Sequence, residues 1–286
     1  VNEKNTAFLW DTASGKKLFT FQEWANSLPS VALSRDGKVL GAAGAGVHLW
    51  DLASGKKLQT FHGKTGYFQT MALSADGKHV IAGSRDEGAI LWDVEANKPL
   101  LTLPEINYFR TTVRVSMSDD AKRVVRTGPN GGQLWDVETS KKLTTVLHYT
   151  KFRPEHRAAA ALSHDGKLIA FGGLEKKPFL WDLTTDKKLQ DFVGHTEDVW
   201  CVALSADGKQ VLTGSEDKTA CLWDANCGKK LPTFAQHPTN VDSVAISPDG
   251  KLVATTSGAK VFVWNAATGD KLHVLEGNKT EIHDLA

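Results

Sequence analysis

Short apolar segments alternate with polar clusters along the whole chain. Around residue 200 the segments "VWCVALS", "KQVLTGS", "TACLWD" and "KKLPTF" follow one another through the turns "ADGK", "SEDK" and "NCGKK". The segments are rich in β-branched and aromatic residues, and an Asp-Gly pair supplies the positive φ that a tight hairpin needs. This pattern predicts a four-stranded antiparallel meander, and we label its strands a, b, c and d in chain order.

The same unit repeats along the chain, and its most regular marker is a tryptophan. The markers are Trp10, Trp50, Trp92, Trp135, Trp181, Trp223 and Trp264, at spacings of 40 to 46 residues. Asp follows the first six and Asn follows the seventh, while phrases such as "LSADGK" and "NCGKKL" recur in phase with them. Because a unit of this length holds four strands and no crossover helix, the sequence predicts an all-β fold throughout.

The unit resembles the WD40 repeat, which has a period of about 40–45 residues with Gly-His early and Trp-Asp late. Gly194-His195 and Trp223-Asp224 carry the resemblance in one unit, and its phase extends over residues 1–286. The resemblance implies a seven-bladed β-propeller of four-stranded antiparallel blades. A quinoprotein-like propeller is the alternative, but it does not predict "GH" or "SEDK" at these offsets.

The two ends of the sequence together make less than one unit. Twenty-two residues follow Trp264 and Trp10 is the tenth residue, which is about ten short of the period. Residues 281–286 align with strand a, and residues 1–10 align with a b–c turn followed by strand c. We therefore expect one propeller domain over residues 1–286, whose last blade is shared by both termini and lacks strand b. The expectation is also that this sequence is a fragment, with either a trimmed strand or further blades beyond it.

One set of residues has a catalytic appearance, and the resemblance gives it a structural interpretation. In the family, a His before strand a, a Ser or Thr on strand b, an Asp in the b–c turn and the Trp on strand c form a hydrogen-bonded tetrad. His195, Thr213, Asp217 and Trp223 match these positions. Only His237 repeats the His and Asp86 keeps a turn acid, so we expect packing to hold most of the other blades.

A partner-binding surface is predicted on the rim that carries the d–a and b–c loops. Large aromatic residues and arginines are concentrated there, and protein interfaces use both as anchors. The predicted contact residues are Tyr67, Arg85, Tyr108, Arg110, His156, Trp200 and Glu216. For Tyr108, filling the gap between two blades is an equal alternative. The opposite rim collects lysine pairs in the c–d turns, which we interpret as solvated turn residues balanced by neighbouring Asp.

Composition narrows the function classes. Thirty-four basic against 33 acidic residues give a net charge of +1, which lacks the strong field of a dedicated nucleic-acid or membrane-surface binder. The three cysteines have no CxxC spacing, and neither a phosphate loop nor HExxH or GxSxG occurs. We expect a non-catalytic scaffold without cofactor or metal, cytoplasmic, and a monomeric domain of a larger protein that binds a protein or peptide. Two alternatives remain open: a sensing or enzymatic site in the central channel, and nucleic-acid binding through the lysine rim.

Overall fold

A computed structural model of the chain describes residues 6–21, 29–64, 66–84, 86–104, 114–128, 131–146, 159–172, 176–276 and 280–286. The regular secondary structure of these residues consists of 26 β-strands. The prediction of an all-β fold is confirmed.

Six four-stranded antiparallel sheets follow a two-stranded one. The two-stranded sheet holds β1 (Ala7–Trp10) and β2 (Lys17–Phe21). Blade 1 holds β3 (Ser30–Leu33), β4 (Val39–Gly44), β5 (Gly46–Asp51) and β6 (Lys57–Phe61). Blade 2 holds β7 (Thr70–Leu73), β8 (His79–Ser84), β9 (Gly88–Asp93) and β10 (Lys98–Leu103). Blade 3 holds β11 (Arg114–Met117), β12 (Arg123–Gly128), β13 (Gly131–Asp136) and β14 (Lys142–Val146).

The remaining blades repeat the same order. Blade 4 holds β15 (Ala160–Leu162), β16 (Leu168–Phe171), β17 (Phe179–Asp182) and β18 (Lys187–Asp191). Blade 5 holds β19 (Val199–Leu204), β20 (Gln210–Ser215), β21 (Ala220–Asp224) and β22 (Lys230–Phe234). Blade 6 holds β23 (Ser243–Ile246), β24 (Leu252–Ser257), β25 (Lys260–Asn265) and β26 (Lys271–Leu275). Strands pair with their chain neighbours, so each blade is the meander a-b-c-d that the sequence predicts.

The a–b turns are built by the "LSxDGK" phrase. In blade 5 the Ser205 hydroxyl donates to Asp207 at 2.7 Å, and the backbone N–H of Gln210 donates to the Ser205 hydroxyl at 2.9 Å. Gly208 takes a φ of 69°, which is the left-handed region that favours glycine. Blade 3 has Ala121 at this position with a φ of 55°. The same Ser-Asp contact recurs in all six complete blades.

Aromatic contacts between blades form much of the core. Phe61, at the end of strand d in blade 1, lies 5.4 Å from Trp92 of blade 2, measured between ring centroids. Phe192 and Trp223 repeat this contact at 5.6 Å. The pairs Phe21–Trp50 and Phe234–Trp264 repeat it again. The marker tryptophan of a unit is therefore covered by the blade before it.

The a strands form the inner wall of the ring. Each of β3, β7, β11, β15, β19 and β23 contacts the next one in this order. The first four of them, together with residues 284–286, line a central cavity of about 290 Å³. The sheets are therefore arranged as the blades of a propeller, as predicted.

The C-terminal segment, residues 280–286, closes the ring between blades 6 and 1. One carboxylate oxygen of Asp284 accepts from the Ser30 hydroxyl at 2.7 Å and from the Val31 backbone N–H at 3.2 Å. The other oxygen accepts from the Ser243 hydroxyl at 3.2 Å. Ser30 makes a similar contact between two complete blades. Its hydroxyl in blade 1 accepts from the backbone N–H of Met71 in blade 2 at 3.2 Å. The segment thus takes the place of a seventh inner strand.

The seventh blade is less complete than predicted. The sequence predicted a strand over residues 281–286, but the structure assigns no strand there, so the described part of this blade contains only β1 and β2. The physical reason is that strand a forms its ladder with strand b, and no described strand takes that place. We call β1, β2 and residues 280–286 the partial blade. Residues 7–10 of β1 are half-buried, whereas the equivalent residues 220–223 of β21 are fully buried.

We predict that the partial blade is the least stable part of the ring. Among the described residues β1 has one ladder partner where β21 has two, so less free energy is needed to expose its amides. Native-state hydrogen exchange is expected to show faster exchange for residues 7–10 and 280–286 than for residues 220–224. Equal protection of β1 and β21 would contradict this prediction.

Candidate functional site

His195, Thr213, Asp217 and Trp223 lie in mutual contact in blade 5. The imidazole Nδ1 of His195 is 2.7 Å from an Asp217 carboxylate oxygen, and its Nε2 is 2.7 Å from the Thr213 hydroxyl. The indole N–H of Trp223 donates to the same hydroxyl at 2.8 Å. Thr213 and Trp223 are fully buried, and the His195 side chain is inaccessible to solvent. The structure thus brings together all four residues that the sequence singled out.

Hydrogen bonds from nearby backbone groups hold the carboxylate of Asp217 in place. Asp217 follows β20 in the b–c turn, and its carboxylate accepts from the backbone N–H groups of Thr196 at 3.0 Å and Thr219 at 2.9 Å. The Thr219 hydroxyl adds a third contact at 2.6 Å. Thr196 belongs to the d–a loop that precedes β19. A single carboxylate therefore ties the d–a loop to the b–c turn.

His195 and Asp217 form a buried ion pair. Burial works against the charged form of His195, but the hydrogen bonds and charges of Asp217 and Cys221 together outweigh it and raise the pKa of His195 to about 9. The pKa of Asp217 is lowered, because its hydrogen bonds to His195 and Thr219 overcome the cost of burial. With both imidazole nitrogens protonated, Thr213 accepts from His195 and Trp223, and its own proton points to the Cys221 carbonyl at 3.3 Å. Every polar group of the set then has a partner.

These contacts favour a structural role over a catalytic one. A nucleophilic hydroxyl must reach a substrate, but the Thr213 hydroxyl is buried and engaged by two donors and one acceptor.

Blade 6 contains a variant of the set that uses a neighbour's backbone. His237 places Nε2 2.8 Å from the Thr255 hydroxyl, which also accepts from the Trp264 indole at 3.0 Å. In place of an acid, Nδ1 meets the backbone carbonyl of Lys218 in blade 5 at 3.0 Å. Burial without an acidic partner lowers the pKa of His237. Two histidines at equivalent positions thus have opposite pKa shifts.

Other blades fasten the same loops with residues that sequence reasoning missed. The turn acid predicted in blade 2 was Asp86, but Glu87 holds the d–a loop, accepting from the backbone N–H groups of Lys64 at 2.6 Å and Gly66 at 3.1 Å. In blade 3, Arg126 takes the place that Thr213 has in blade 5, and its guanidinium donates to the Pro104 carbonyl. Burial lowers the pKa of Arg126 to about 10. The available signal for Arg126 was a charged residue at a strand b position where other blades carry Ala42, Ala82 or Thr213.

The predicted contact residues divide into two groups. Tyr67 is half-buried in the d–a loop before β7, and Trp200 is half-buried at the start of β19, next to the d–a loop of blade 5. Glu216 is exposed in the b–c turn of blade 5. Arg85, Tyr108, Arg110 and His156 lie outside the described residues. Phe68, beside Tyr67, is fully buried and packs edge-on against Trp92 at 5.5 Å.

The lysines of the opposite rim are exposed at both positions of a pair, as at Lys56, Lys57, Lys229 and Lys230. The second lysine also lies over the marker tryptophan: Lys57 over Trp50 at 5.8 Å and Lys230 over Trp223 at 5.6 Å. Lys271, which follows Asp270, lies over Trp264 in the same way at 5.4 Å. Cations at this distance from an indole face are attracted by its quadrupole.

Among the described residues, no three His, Cys, Asp or Glu side chains are grouped so that they could hold a metal ion. In the same part of the chain, no helix is long and apolar enough to cross a membrane.

We predict that His195→Ala destabilises the protein by about 2–4 kcal/mol, because it leaves the buried Asp217 carboxylate without its cation. Chemical denaturation measures this loss. His62→Ala, at an exposed histidine, is the control and should leave the free energy of unfolding unchanged. An unchanged stability of the His195 variant would contradict a stapling role for the tetrad.

The His195 pKa also predicts a pH dependence. A folded-state pKa of about 9 against an ordinary value of 6.5 means that the ion pair stabilises fully below pH 6.5. That stabilisation, at most about 3 kcal/mol, is lost as the pH rises through 9. Denaturation of wild type and His195→Gln at pH 6 and pH 9.5 should show the larger loss in wild type. A pH-independent difference between the two proteins would show that His195 does not titrate in this range.

Comparison with known families agrees with this architecture. The family model described as "WD domain, G-beta repeat" matches residues 55–93, 186–224 and 228–265. Each match ends at the residue that follows a marker tryptophan, and the last two include most of the β-strands that carry the His195 and His237 sets. A search of curated proteins found no match. Three segments of the chain therefore match the WD40 repeat, and the strands in these segments belong to blades of the β-propeller.

Proposed function

We propose that this protein is a non-catalytic scaffold that binds a protein or peptide on the rim of the d–a loops. The family context supports the general class, because WD40 propellers typically serve as protein-interaction scaffolds. The observation that carries the specific proposal is the fastening of this rim. The d–a loop is bonded to the b–c turn through Asp217 in blade 5 and through Glu87 in blade 2.

A fastened rim is suited to binding because less conformational entropy is lost when a partner docks on it. In blade 6, Ser257 holds the d–a loop, because its hydroxyl accepts from the Thr239 backbone N–H at 3.0 Å. In blade 5 the Ser215 hydroxyl also donates to the Asp198 carbonyl at 2.9 Å. The loops of three blades are thus held in one conformation before a partner arrives.

The side chains on this rim define the partner's chemistry. Trp200 and Tyr67 combine a large apolar surface with a polar atom, which is the profile of interface anchors. Glu216 is exposed in the b–c turn of blade 5 and favours a partner with a basic side chain. We therefore propose a peptide or protein segment with apolar and basic residues as the ligand.

The cellular setting belongs to the same proposal. Cys201, Cys221 and Cys227 form no disulfide, which suits a reducing compartment such as the cytoplasm.

The central channel is the alternative binding site. Its acidic residue Asp284 already accepts three hydrogen bonds from blades 1 and 6, which favours the rim over the channel.

We predict that Trp200→Ala weakens binding of a rim ligand by roughly 1–4 kcal/mol. Peptides selected from a random library against the purified protein provide the ligand, and titration calorimetry measures the loss. Tyr67→Ala and Glu216→Lys should weaken the same peptides, and Glu216→Lys most strongly those with basic residues.

Charge reversal on the opposite rim is the matched control. Lys56→Glu and Lys229→Glu change exposed side chains of the c–d turns and should leave binding unchanged. Loss of binding in these variants alone would move the site to the lysine rim. Undiminished binding in all five variants would contradict a site on either rim.

A further inference from the structure

The central cavity of the ring has a largely apolar wall that belongs mostly to complete blades. The inner strands of blades 1 to 4 form most of this wall, and the volume of the cavity is about 290 Å³. Its larger apolar side chains include Val31, Leu33, Met71, Leu73 and Val115. Val31, Leu33 and Leu73 are only half-buried. Apolar side chains that keep exposed surface around a concave site are typical of a ligand pocket.

Arg114, the first residue of β11, is the exception on this wall. The same register of strand a in other blades holds Ser30, Thr70, Cys201 and Ser243. These side chains are short, and the Ser30 and Thr70 hydroxyls accept from a backbone N–H of the next inner strand at 3.2 Å and 3.5 Å. A long cation is therefore not what the contact between blades requires at this position.

Blade 3 makes that contact with a different residue. The Ser116 hydroxyl accepts from the backbone N–H of Leu162 in blade 4 at 3.1 Å, so the Arg114 side chain is not needed to join the two blades. Within the described part of the chain, the Arg114 guanidinium has no hydrogen-bond or ion-pair partner, although Arg114 is half-buried. A guanidinium that is partly removed from water favours a carboxylate, which can accept from two of its N–H groups.

Other charged groups on the inner strands and their turns already have partners. Arg35, in the a–b turn of blade 1, donates to Asp119 of blade 3, and the other oxygen of Asp119 contacts the imidazole of His164. Asp284 lines the same cavity as Arg114, but its carboxylate accepts hydrogen bonds from blades 1 and 6. Among the described residues, Arg114 is thus the charged group on the cavity wall that is left to bind a ligand.

We propose that the central cavity binds a small monocarboxylate with an unbranched apolar chain. The carboxylate accepts from the Arg114 guanidinium, and the chain lies against the apolar wall that includes Leu33 and Leu73. The volume of the cavity corresponds to roughly ten water molecules, which is about the size of octanoate. The site is separate from the rim, so failure of either proposal leaves the other standing.

Isothermal titration calorimetry with octanoate tests the site. We expect one octanoate per chain with a Kd below about 1 mM, which a ligand of about ten non-hydrogen atoms can reach. Octan-1-ol keeps the chain but lacks the charge, and acetate keeps the charge but lacks the chain. Each should bind at least about tenfold more weakly than octanoate, because each loses one of the two interactions.

Variants at Arg114 separate its charge from its place in the ring. Arg114→Thr gives blade 3 the residue that blade 2 has as Thr70, so the ring should keep its stability. This variant should bind octanoate at least about tenfold more weakly and octan-1-ol as wild type does. Arg114→Lys keeps the cation and should keep the preference for octanoate.

Two further variants test the location. Ala72→Phe reduces the cavity from its wall and should weaken octanoate and octan-1-ol alike. Arg35→Gln is the matched control, because it removes an arginine that already has a carboxylate partner. It should leave the binding of both compounds unchanged. Hydrogen exchange with octanoate present should become slower at residues 31–33 and 71–73.

Four results would overturn the proposal. Wild-type protein that does not bind octanoate would show that the cavity is no such site. Equal binding of octanoate and octan-1-ol would show that Arg114 does not recognise the carboxylate. Loss of octanoate binding in Arg35→Gln but not in Arg114→Thr would place the site at the a–b turns. Tighter binding of a peptide that ends in leucine with a free carboxylate would identify a peptide C-terminus, and not a small molecule, as the ligand.

Discussion

Each sheet of this protein covers its apolar faces only with the sheets on either side, and the rest of the structure depends on this constraint. A four-stranded sheet with two apolar faces is not stable in water by itself, so every blade needs two neighbours. Phe61 on Trp92 and Phe192 on Trp223 are the most regular form of this contact. A row of such units must close into a ring or leave two faces exposed. Asp284 makes that closure by bonding to both Ser30 and Ser243.

Packing sets the arrangement of the blades, and polar contacts then hold the loops of individual blades. His195 meets a carboxylate and is held in its charged form. His237 meets only the Lys218 carbonyl at the same ring nitrogen, and burial lowers its pKa and favours its neutral form. Both histidines bridge from a d–a loop to a buried threonine and a tryptophan. Blades 2 and 3 fasten the corresponding loops with other residues, Glu87 of the b–c turn and Arg126 of strand b. The common requirement is a fastened loop, and different side chains meet it because each has a donor or acceptor within reach of the loop backbone.

Fastened loops set the character of the proposed rim site. Asp217, Glu87 and Ser257 hold the d–a loops of blades 5, 2 and 6. Specificity at the proposed site therefore depends on side chains such as Trp200 and Glu216.

The sequence by itself determined the all-β class, the a-b-c-d meander and the phase of the repeat. These properties are local: Ser205, Asp207 and Gly208 build their turn from neighbours in the chain, and alternation with a period of two is fixed within each strand. The same phase grouped His195, Thr213, Asp217 and Trp223, which the fold joins. Only the tertiary structure decided how blades meet. The partners of Asp284, the carbonyl that His237 uses, and the loss of a strand at residues 281–286 depend on distances between units, which no repeat phrase encodes.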